Sequence, residues 1–325
     1  MVSRDGVGTQ GLVGTHGEPG PGAVAWDPSR TGELLRAPRP DDHKYRRGVL
    51  GVRTGAAAYP GAAVLGVSGA WRTGLGMVRY VPPIGESAEF GLPSAAAAVL
   101  AARPETVFGE PTGRPCDAWL IGSGTDSEAR PDAETEAIRS LLMGDAPVVA
   151  DAGALDVAVE TLMSRPPSPV PVIFTPHEGE FGQLWHDSGL ESAPTLTGVS
   201  GRAKAAARLA TRLGATVLLK GSTTVVAGPR VPGGEQAPVF TVGPATPWLA
   251  TAGTGDVLGG VLGALVAAHA ERVRRDPSLL SALGAAAAHL HDAAARIAVG
   301  NPERPITAMD VADALPAAVA ALRTR

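Results

Sequence analysis

The sequence predicts an α/β protein with a largely parallel central sheet, and three observations carry that expectation. From about Asp41 onward, short Val-, Leu- and Ile-rich runs ending near Gly, Pro, Asp or Thr alternate with longer Ala-rich segments. That is the pattern of strands joined by crossover helices. Hydrophobic residues make up 44% of the 325, aromatics only 4%, and glycine reaches 42, so the core must be built from small and aliphatic side chains. No stretch of distinct composition interrupts residues 41–325, which read as one domain.

The elements follow in order. Residues 1–40 mix Gly, Pro and charge, lack the apolar core of a signal peptide, and read as a flexible extension. A strand over 48–52 leads through a Gly-rich loop to a small-residue helix over 61–72, then a strand over 77–81. The Ala tract at 95–98 falls where a helix is expected. A strand at 118–121 ends in Gly, the helix at 133–143 follows, and apolar runs at 147–150 and 172–174 make two more strands. Helices are expected over 178–184 and 201–213. Strands at 216–219 and 224–227 are separated by a polar turn, and another follows at 239–242. Ala-rich helices over 254–270, 279–299 and 308–322 complete the chain, and 165–171 and 228–238 read as Pro- and Gly-rich loops. The longest apolar stretches, 55–70 and 257–270, are shorter than the ~20 residues that span a bilayer, so no membrane anchor is expected.

Charge and cysteine usage exclude several functions. A net charge of -4 offers no basic excess for nucleic acid or anionic lipid. The single Cys116 excludes an internal disulfide and a multi-cysteine zinc site, in keeping with a reducing, cytoplasmic setting. Of the basic residues only Lys44, Lys204 and Lys220 are lysines, which draws attention to each.

Five segments carry chemistry. In TPWLATAGTGDVLGG, residues 246–260, a Gly-rich loop runs into an apolar helix. Gly253 and Gly255 let backbone N–H groups converge, Thr254 and Asp256 are able to cap, and the helix dipole favours an anion. The alternative is an ordinary Gly-rich helix start. A carboxylate there repels phosphate, and general-base duty supplies a reason for it, with Asp256 taking the proton of a substrate hydroxyl while the amides neutralise a transferring phosphoryl group. TVLLKGSTT, residues 216–224, ends a strand in Lys220, Gly221, Ser222, Thr223 and Thr224, placed to hold nucleotide phosphates or ribose, or else forming a hairpin with a solvated lysine. VIFTPHEGEF, residues 172–181, puts His177 at a strand end, with Glu178 and Glu180 in a first helical turn where capping accounts for at least one of them. In PVVADAGALD, residues 147–156, Asp151 is either an N-cap or an acidic contact to ligand or to a Mg²⁺-bound water, a role open to Glu180 as well. Gly61, Ala62 and Ala63 at one helix start, and Gly122 and Gly124 in IGSGTD, allow a flat ligand to approach closely. No Walker-type loop occurs.

In order, PGAA (60–63), IGSG (121–124), DAGALD (151–156), TPHEGE (175–180), LKGSTT (219–224) and TAGTGD (251–256) resemble the NAD(P)H-hydrate dehydratases of the ribokinase-like family, over about residues 43–322. The resemblance implies a three-layer α/β/α fold and a metabolite-repair enzyme. It would dehydrate the S epimer of hydrated NADH or NADPH with ADP or ATP as co-substrate and Mg²⁺ as cofactor. By that resemblance Asp256 deprotonates the C6 hydroxyl, a phosphoryl group is transferred to it, and phosphate is eliminated. Gly61, Ala62, Gly124, His177 and Asp256 would touch the hydrate, while Lys220, Gly221, Ser222, Thr223, Thr224, Gly253, Thr254 and Gly255 would hold the nucleotide. A homo-oligomer, a tetramer by resemblance, is expected. Forty Gly/Pro-rich residues are too few for an epimerase domain, so a separate epimerase is expected to supply the S epimer. The pattern departs from the family's in IGSGTD, in Asp156, in HKY at 43–45 and in Arg53 beside the first loop. A small-molecule kinase of the same fold and a non-catalytic nucleotide-binding protein are the competing readings.

Overall fold

The computed structural model describes residues 22–85, 91–164, 170–230 and 237–323. Their strands are β1 (Ala23–Ala25), β2 (Val49–Arg53), β3 (Met77–Tyr80), β4 (Val107–Phe108), β5 (Ala118–Ile121), β6 (Val148–Ala150), β7 (Val172–Phe174), β8 (Thr216–Leu219), β9 (Thr224–Ala227) and β10 (Val239–Val242). They form one ten-stranded sheet in the order β1-β10-β9-β8-β7-β6-β5-β2-β3-β4. All neighbours are parallel except β8–β9 and β9–β10, where a hairpin and its return run antiparallel.

Strand alternation sends side chains to two separate cores. Leu50, Val52, Leu120 and Leu218 face a layer made by α1 (Ser29–Leu34), α2 (Pro60–Arg72), α3 (Ala95–Ala102) and three later helices. Val49, Trp119, Ile121, Val217 and Leu219 face α4 (Asp132–Leu142), α5 (Leu155–Met163), α6 (Glu178–Asp187) and α7 (Gly198–Leu213). The later helices are α8 (Thr254–Ala268), α10 (Leu279–Val299) and α11 (Ala308–Arg323), with the short α9 (Ala270–Arg275) between the first two. The expected three layers are therefore present. Glycine decides how α2 and α8 meet: a Cβ at Gly260 would collide with the Gly66 carbonyl, and one at Gly69 would lie 2.6 Å from Val257 O. The two helices touch backbone to backbone.

The topology locates the site. From β2 the chain builds outward to β3 and β4, then returns to β5 on the other side of β2 and proceeds outward to β10. The loops after β2 and β5 leave in opposite directions, and open α/β sheets bind ligands at such a switch point, beyond the carboxyl ends of the strands. Gly55 N donates to Ser123 O across it at 2.7 Å.

Residues 22–40 correct the expectation of a flexible extension. β1 pairs in parallel with β10, Trp26 N donates to Thr241 O at 2.8 Å, and the Trp26 ring packs edge-on against Phe240 at 5.1 Å. The Thr31 hydroxyl meets His289 Nδ1 at 2.9 Å, and buried His269 Nε2 lies 2.9 Å from Leu34 O. The remainder of that expectation, residues 1–21, lies outside the described residues, as do 165–169 and 231–236 of the two expected loops. The structure adds β4 and α5, begins α7 at Gly198, and breaks the helix expected over 254–270 at His269. Among the described residues no helix is long and apolar enough to cross a membrane.

Candidate active site at the carboxyl ends of the strands

The loop after β5 brings the first candidates together. Gly122 (φ 98°) and Gly124 (φ 66°) both lie in the left-handed region, and a Cβ at Gly122 would collide with the Asp151 carbonyl. A Cβ at Gly124 would collide with Ala62, which is buried beside the start of α2, while Gly61 faces open space. Gly61, Ala62 and Gly124 thus share one rim with Gly55, whose N–H holds Ser123.

Behind the rim lies a buried polar cluster. Asp151, at the end of β6 and 3% exposed, accepts from the Lys220 ammonium at 2.8 Å and the Thr175 hydroxyl at 2.8 Å on Oδ1, and from the Ser123 hydroxyl at 3.0 Å on Oδ2. It is the N-cap residue of a 3₁₀ turn but makes no side-chain capping bond, so its carboxylate is committed to Lys220 instead. Glu180 Oε2 stands 3.7 Å from Lys220 Nζ. Burial pulls the Lys220 pKa down, but the charges of Asp151, Glu180 and Asp256 outweigh it and the net shift is upward. Burial pushes the Asp256 pKa above the usual carboxylate range and the Asp151 charge adds to it, while a hydrogen bond with Ser123 and the Lys220 charge oppose the rise.

Asp256 sits in the first turn of α8, whose N-cap is Gly253 in the left-handed region (φ 87°) with no side-chain cap. Neither Thr254 nor Asp256 caps the helix as the sequence suggested: the Thr254 hydroxyl donates to Leu249 O and Thr251 O, both at 2.9 Å, and pins the preceding loop. The Gly255 and Asp256 amides precede the first intrahelical bond, Val257 N to Gly253 O at 3.3 Å, and carry the positive end of the helix dipole. Lys220 Nζ lies 3.8 Å from where a Gly255 Cβ would sit. On that side a cavity of about 490 Å³ is lined by Lys220, Gly221, Ser222, Thr224, Thr254 and Gly255 on its polar wall, with Leu249, Leu258 and Ala288 on its apolar wall.

An uncapped helix start beside a buried carboxylate and an ammonium invites comparison with known proteins. The family model for NAD(P)H-hydrate dehydratase matches residues 50–317. The chain belongs to the NAD(P)H-hydrate dehydratase family. It is 40% identical over 239 residues to the bifunctional NAD(P)H-hydrate repair enzyme Nnr of Mycobacterium tuberculosis, a match covering 71% of this chain and 43% of that protein. The chain thus spans less than half the length of this relative. It is 32% identical over 241 residues to the ADP-dependent (S)-NAD(P)H-hydrate dehydratase of Neisseria meningitidis, covering 72% and 74% of the two. Among solved structures, the ADP/ATP-dependent NAD(P)H-hydrate dehydratase of Bacillus subtilis, co-crystallised with ATP/Mg²⁺, superposes with a TM-score of 0.70 at 25% identity over 92% of this chain and 99% of that one. A ribokinase-like superfamily protein from Enterococcus faecalis, at 18% identity and a TM-score of 0.69 over 94% and 98%, shares the fold.

Against the family pattern, the expected site residues divide. Lys220, Gly221, Ser222, Thr224, Thr254 and Gly255 line one cavity, and Asp256 follows Gly255 in the first turn of α8. Thr223 and Gly253 stand off the cavity wall: Thr223 backs onto Gly243, and Gly253 packs against Leu65 and Ala308. His177 is the N-cap of α6, its Nδ1 accepting from the amides of Gly179 (3.0 Å) and Glu180 (3.2 Å) while Glu180 Oε2 accepts from His177 N at 2.7 Å. The capping box thus fixes His177 and Glu180 together, and the exposed imidazole stands one residue pair away from Lys220. Glu178 pairs with Arg202. Arg53 forms a buried pair with Glu134 at 2.5 Å, both side chains 3% exposed, and stands 3.5 Å from the exposed Glu110 carboxylate. Asp156 pairs with Arg130 at 2.5 Å. Lys220, in the hairpin turn, is not a solvated lysine.

Sequence reasoning missed the roles of Ser123 and Thr175, both buried donors to Asp151, and of His291, which lines the nucleotide-sized cavity from α10. The polar letters in IGSG and TPHEGE were the available signal for the first two. For Mg²⁺, the residues do not fit a protein-held ion. Asp151 accepts from Lys220, Thr175 and Ser123, Glu180 Oε2 accepts from His177 N, and the Lys220 ammonium lies between the two carboxylates. Among the described residues no group of three His, Cys, Asp or Glu converges on a metal position.

Proposed function

We propose that this chain dehydrates the S epimer of hydrated NADH or NADPH, using ADP or ATP as phosphoryl donor, through a phosphorylated intermediate. The observation that carries this reading is the Asp256 carboxylate, seated on the uncapped first turn of α8 beside Lys220, with the Gly61, Ala62 and Gly124 rim on one side and the cavity on the other. The nucleotide enters the cavity with its base among Leu249, Leu258 and Ala288, and its terminal phosphate meets Lys220 and the Gly255 and Asp256 amides. The hydrate lies over the glycine rim, with its C6 hydroxyl toward Asp256. Asp256 accepts the hydroxyl proton as the oxygen attacks phosphorus and AMP or ADP departs. Phosphate then leaves with the C6–O electron pair, and loss of the C5 proton restores the dihydronicotinamide. The raised pKa suits a base that must accept a proton near neutrality.

The finer assignments follow the same reading: His177 touches the hydrate from the mouth of the site, a separate epimerase supplies the S epimer, and the enzyme works as a cytoplasmic homo-oligomer. Incubation with hydrated NADH and ADP or ATP, following both absorbance of the dihydronicotinamide and release of phosphate, tests the function. Both signals should rise in equal molar amounts. Consumption of nucleotide with a stable phosphorylated product and no absorbance gain would identify a kinase instead, and no change with either nucleotide would remove the proposal.

A further inference from the structure

Three polar handles fix Lys220, and one of them is held from outside the cavity. Lys220 N donates to Pro176 O at 2.9 Å, and Lys220 Nζ donates to Asp151 Oδ1 at 2.8 Å. The Lys220 carbonyl accepts from Arg202 Nη2 at 2.8 Å. Arg202 stands near the start of α7 with its side chain 12% exposed, and its Nη1 donates to Glu178 Oε2 at 3.1 Å, in the first turn of α6. The planar fork thus gives one arm to the turn after β8 and the other to a carboxylate that orients it. Gly221 makes this approach possible. Its φ lies outside the left-handed region, so the backbone itself would admit a side chain. A Cβ there would lie 2.6 Å from Arg202 Nη2 and 3.2 Å from Cζ, with Thr223 O next at 3.6 Å. The obstacle is the far end of a flexible side chain, and it is the same nitrogen that donates to Lys220 O. Alanine at 221 would therefore be accommodated by swinging that nitrogen off the carbonyl.

We propose that Arg202 is a positioning residue for the nucleotide: its guanidinium holds the Lys220–Gly221 turn by the carbonyl, so that Lys220, Gly221, Ser222 and Thr224 present one fixed wall to the cavity. Gly221 is the residue that lets the guanidinium in. This inference rests on the cavity being the nucleotide site, and it is independent of the chemistry done on the second substrate. Arg202 is not among the residues lining the cavity, so it acts through the turn rather than on the ligand. Once released from the guanidinium, the turn has to be ordered by the nucleotide itself, and that ordering is subtracted from the affinity. The ammonium of Lys220 keeps its own anchor, because Asp151 and Thr175 hold it from β6 and β7.

Titration calorimetry with ADP, which needs no turnover, and the steady-state constants of the dehydration assay test this on Arg202→Met, Gly221→Ala and the double variant. Arg202→Met removes a charged hydrogen bond to the carbonyl and should weaken ADP binding roughly tenfold. KM for ADP should rise with it, while kcat and KM for the hydrate stay within about twofold. Gly221→Ala displaces the same nitrogen and should weaken ADP binding by a similar factor with Tm unchanged. In the Arg202→Met background it should add less than about twofold, so that the two losses do not multiply. Arg202→Lys lacks the forked nitrogen that the new Cβ meets, and it gives a second background in which the cost of Gly221→Ala should shrink if the Met variant folds poorly. Losses that multiply overturn the proposal, because the glycine would then serve something other than the guanidinium. An Arg202→Met protein that binds ADP as tightly as wild type overturns it too, as does one that loses kcat with KM for ADP in place, or a wild type that binds neither ADP nor ATP. A wild type that binds ADP with the expected coupling and leaves hydrated NADH unchanged overturns only the dehydratase reading.

Discussion

Asp256→Asn is the substitution on which the site assignment turns, because it should move two observables in opposite directions. The amide keeps the shape of the side chain in the first turn of α8. It removes the base, which is worth roughly 10²- to 10⁴-fold in kcat, or about 3–5 kcal/mol of barrier. It also changes local charge: Asp256 is one of three carboxylates, with Asp151 and Glu180, around the single Lys220 ammonium, and the variant removes one of them. A unit charge about 6 Å from a phosphoryl oxygen is worth roughly 0.7–3 kcal/mol across effective dielectrics of 80 to 20. Relief of that repulsion should tighten ADP binding by at least threefold. Titration calorimetry with ADP and the coupled absorbance and phosphate assay read the two effects separately. Thermal stability should hold or rise, since burial already strains the ionised carboxylate. A variant that keeps kcat within tenfold of wild type, or one that loses ADP binding while its Tm is unchanged, would refute the reasoning.

Other perturbations have equally definite outcomes. Glu134→Ala leaves the buried Arg53 guanidinium with only the exposed Glu110 carboxylate, 3.5 Å away, as a charged partner, which costs about 3 kcal/mol and should lower Tm by about 5 °C in a scanning calorimeter; Arg53→Met with Glu134→Leu should recover most of it. Gly122→Ala combines a left-handed φ of 98° with a collision at the Asp151 carbonyl, so a loss of about 3 kcal/mol or more is expected in urea unfolding. His291, buried against the cavity, has its pKa pulled down by burial from 6.5 to about 4. Its contribution is fully present above pH 6.5 and is lost as pH falls to about 4, where the unfolded chain binds a proton that the folded one refuses. That amounts to about 3 kcal/mol, and urea midpoints measured in that window should be flatter for His291→Phe than for wild type.

Much of this architecture was legible because glycine and charge punctuate it. The strands at Ala118–Ile121, Val172–Phe174, Thr216–Leu219, Thr224–Ala227 and Val239–Val242 fall on the expected residues, each an apolar run bounded by Gly, Pro, Lys or Asp. The edge strand Ala23–Ala25 was not legible: three residues, Ala-Val-Ala, between Gly22 and Trp26 gain their strand character only from pairing with β10. Helix α5 was hidden because the turn after Asp151 looked like a cap, and the cap proved to be tertiary, with the carboxylate drawn away by Lys220. The same long-range pairing explains the site. Asp256 and Lys220 were readable from local loop chemistry, whereas the work of Ser123 and Thr175 depends on three strand ends meeting, which no local pattern encodes.

The backbone contact between α2 and α8 has a mechanical consequence. The rim of Gly61 and Ala62 begins at the head of one of these helices and the Asp256 carboxylate rides on the other, so with no side-chain cushion to compress, rim and carboxylate form a single anvil. Any give at the cavity must therefore fall to the opposite jaw, the turn at 220–223 and the span 243–250, which Thr254, Asp292 and Arg296 tether through hydrogen bonds and Trp248 and Leu249 through packing on the core.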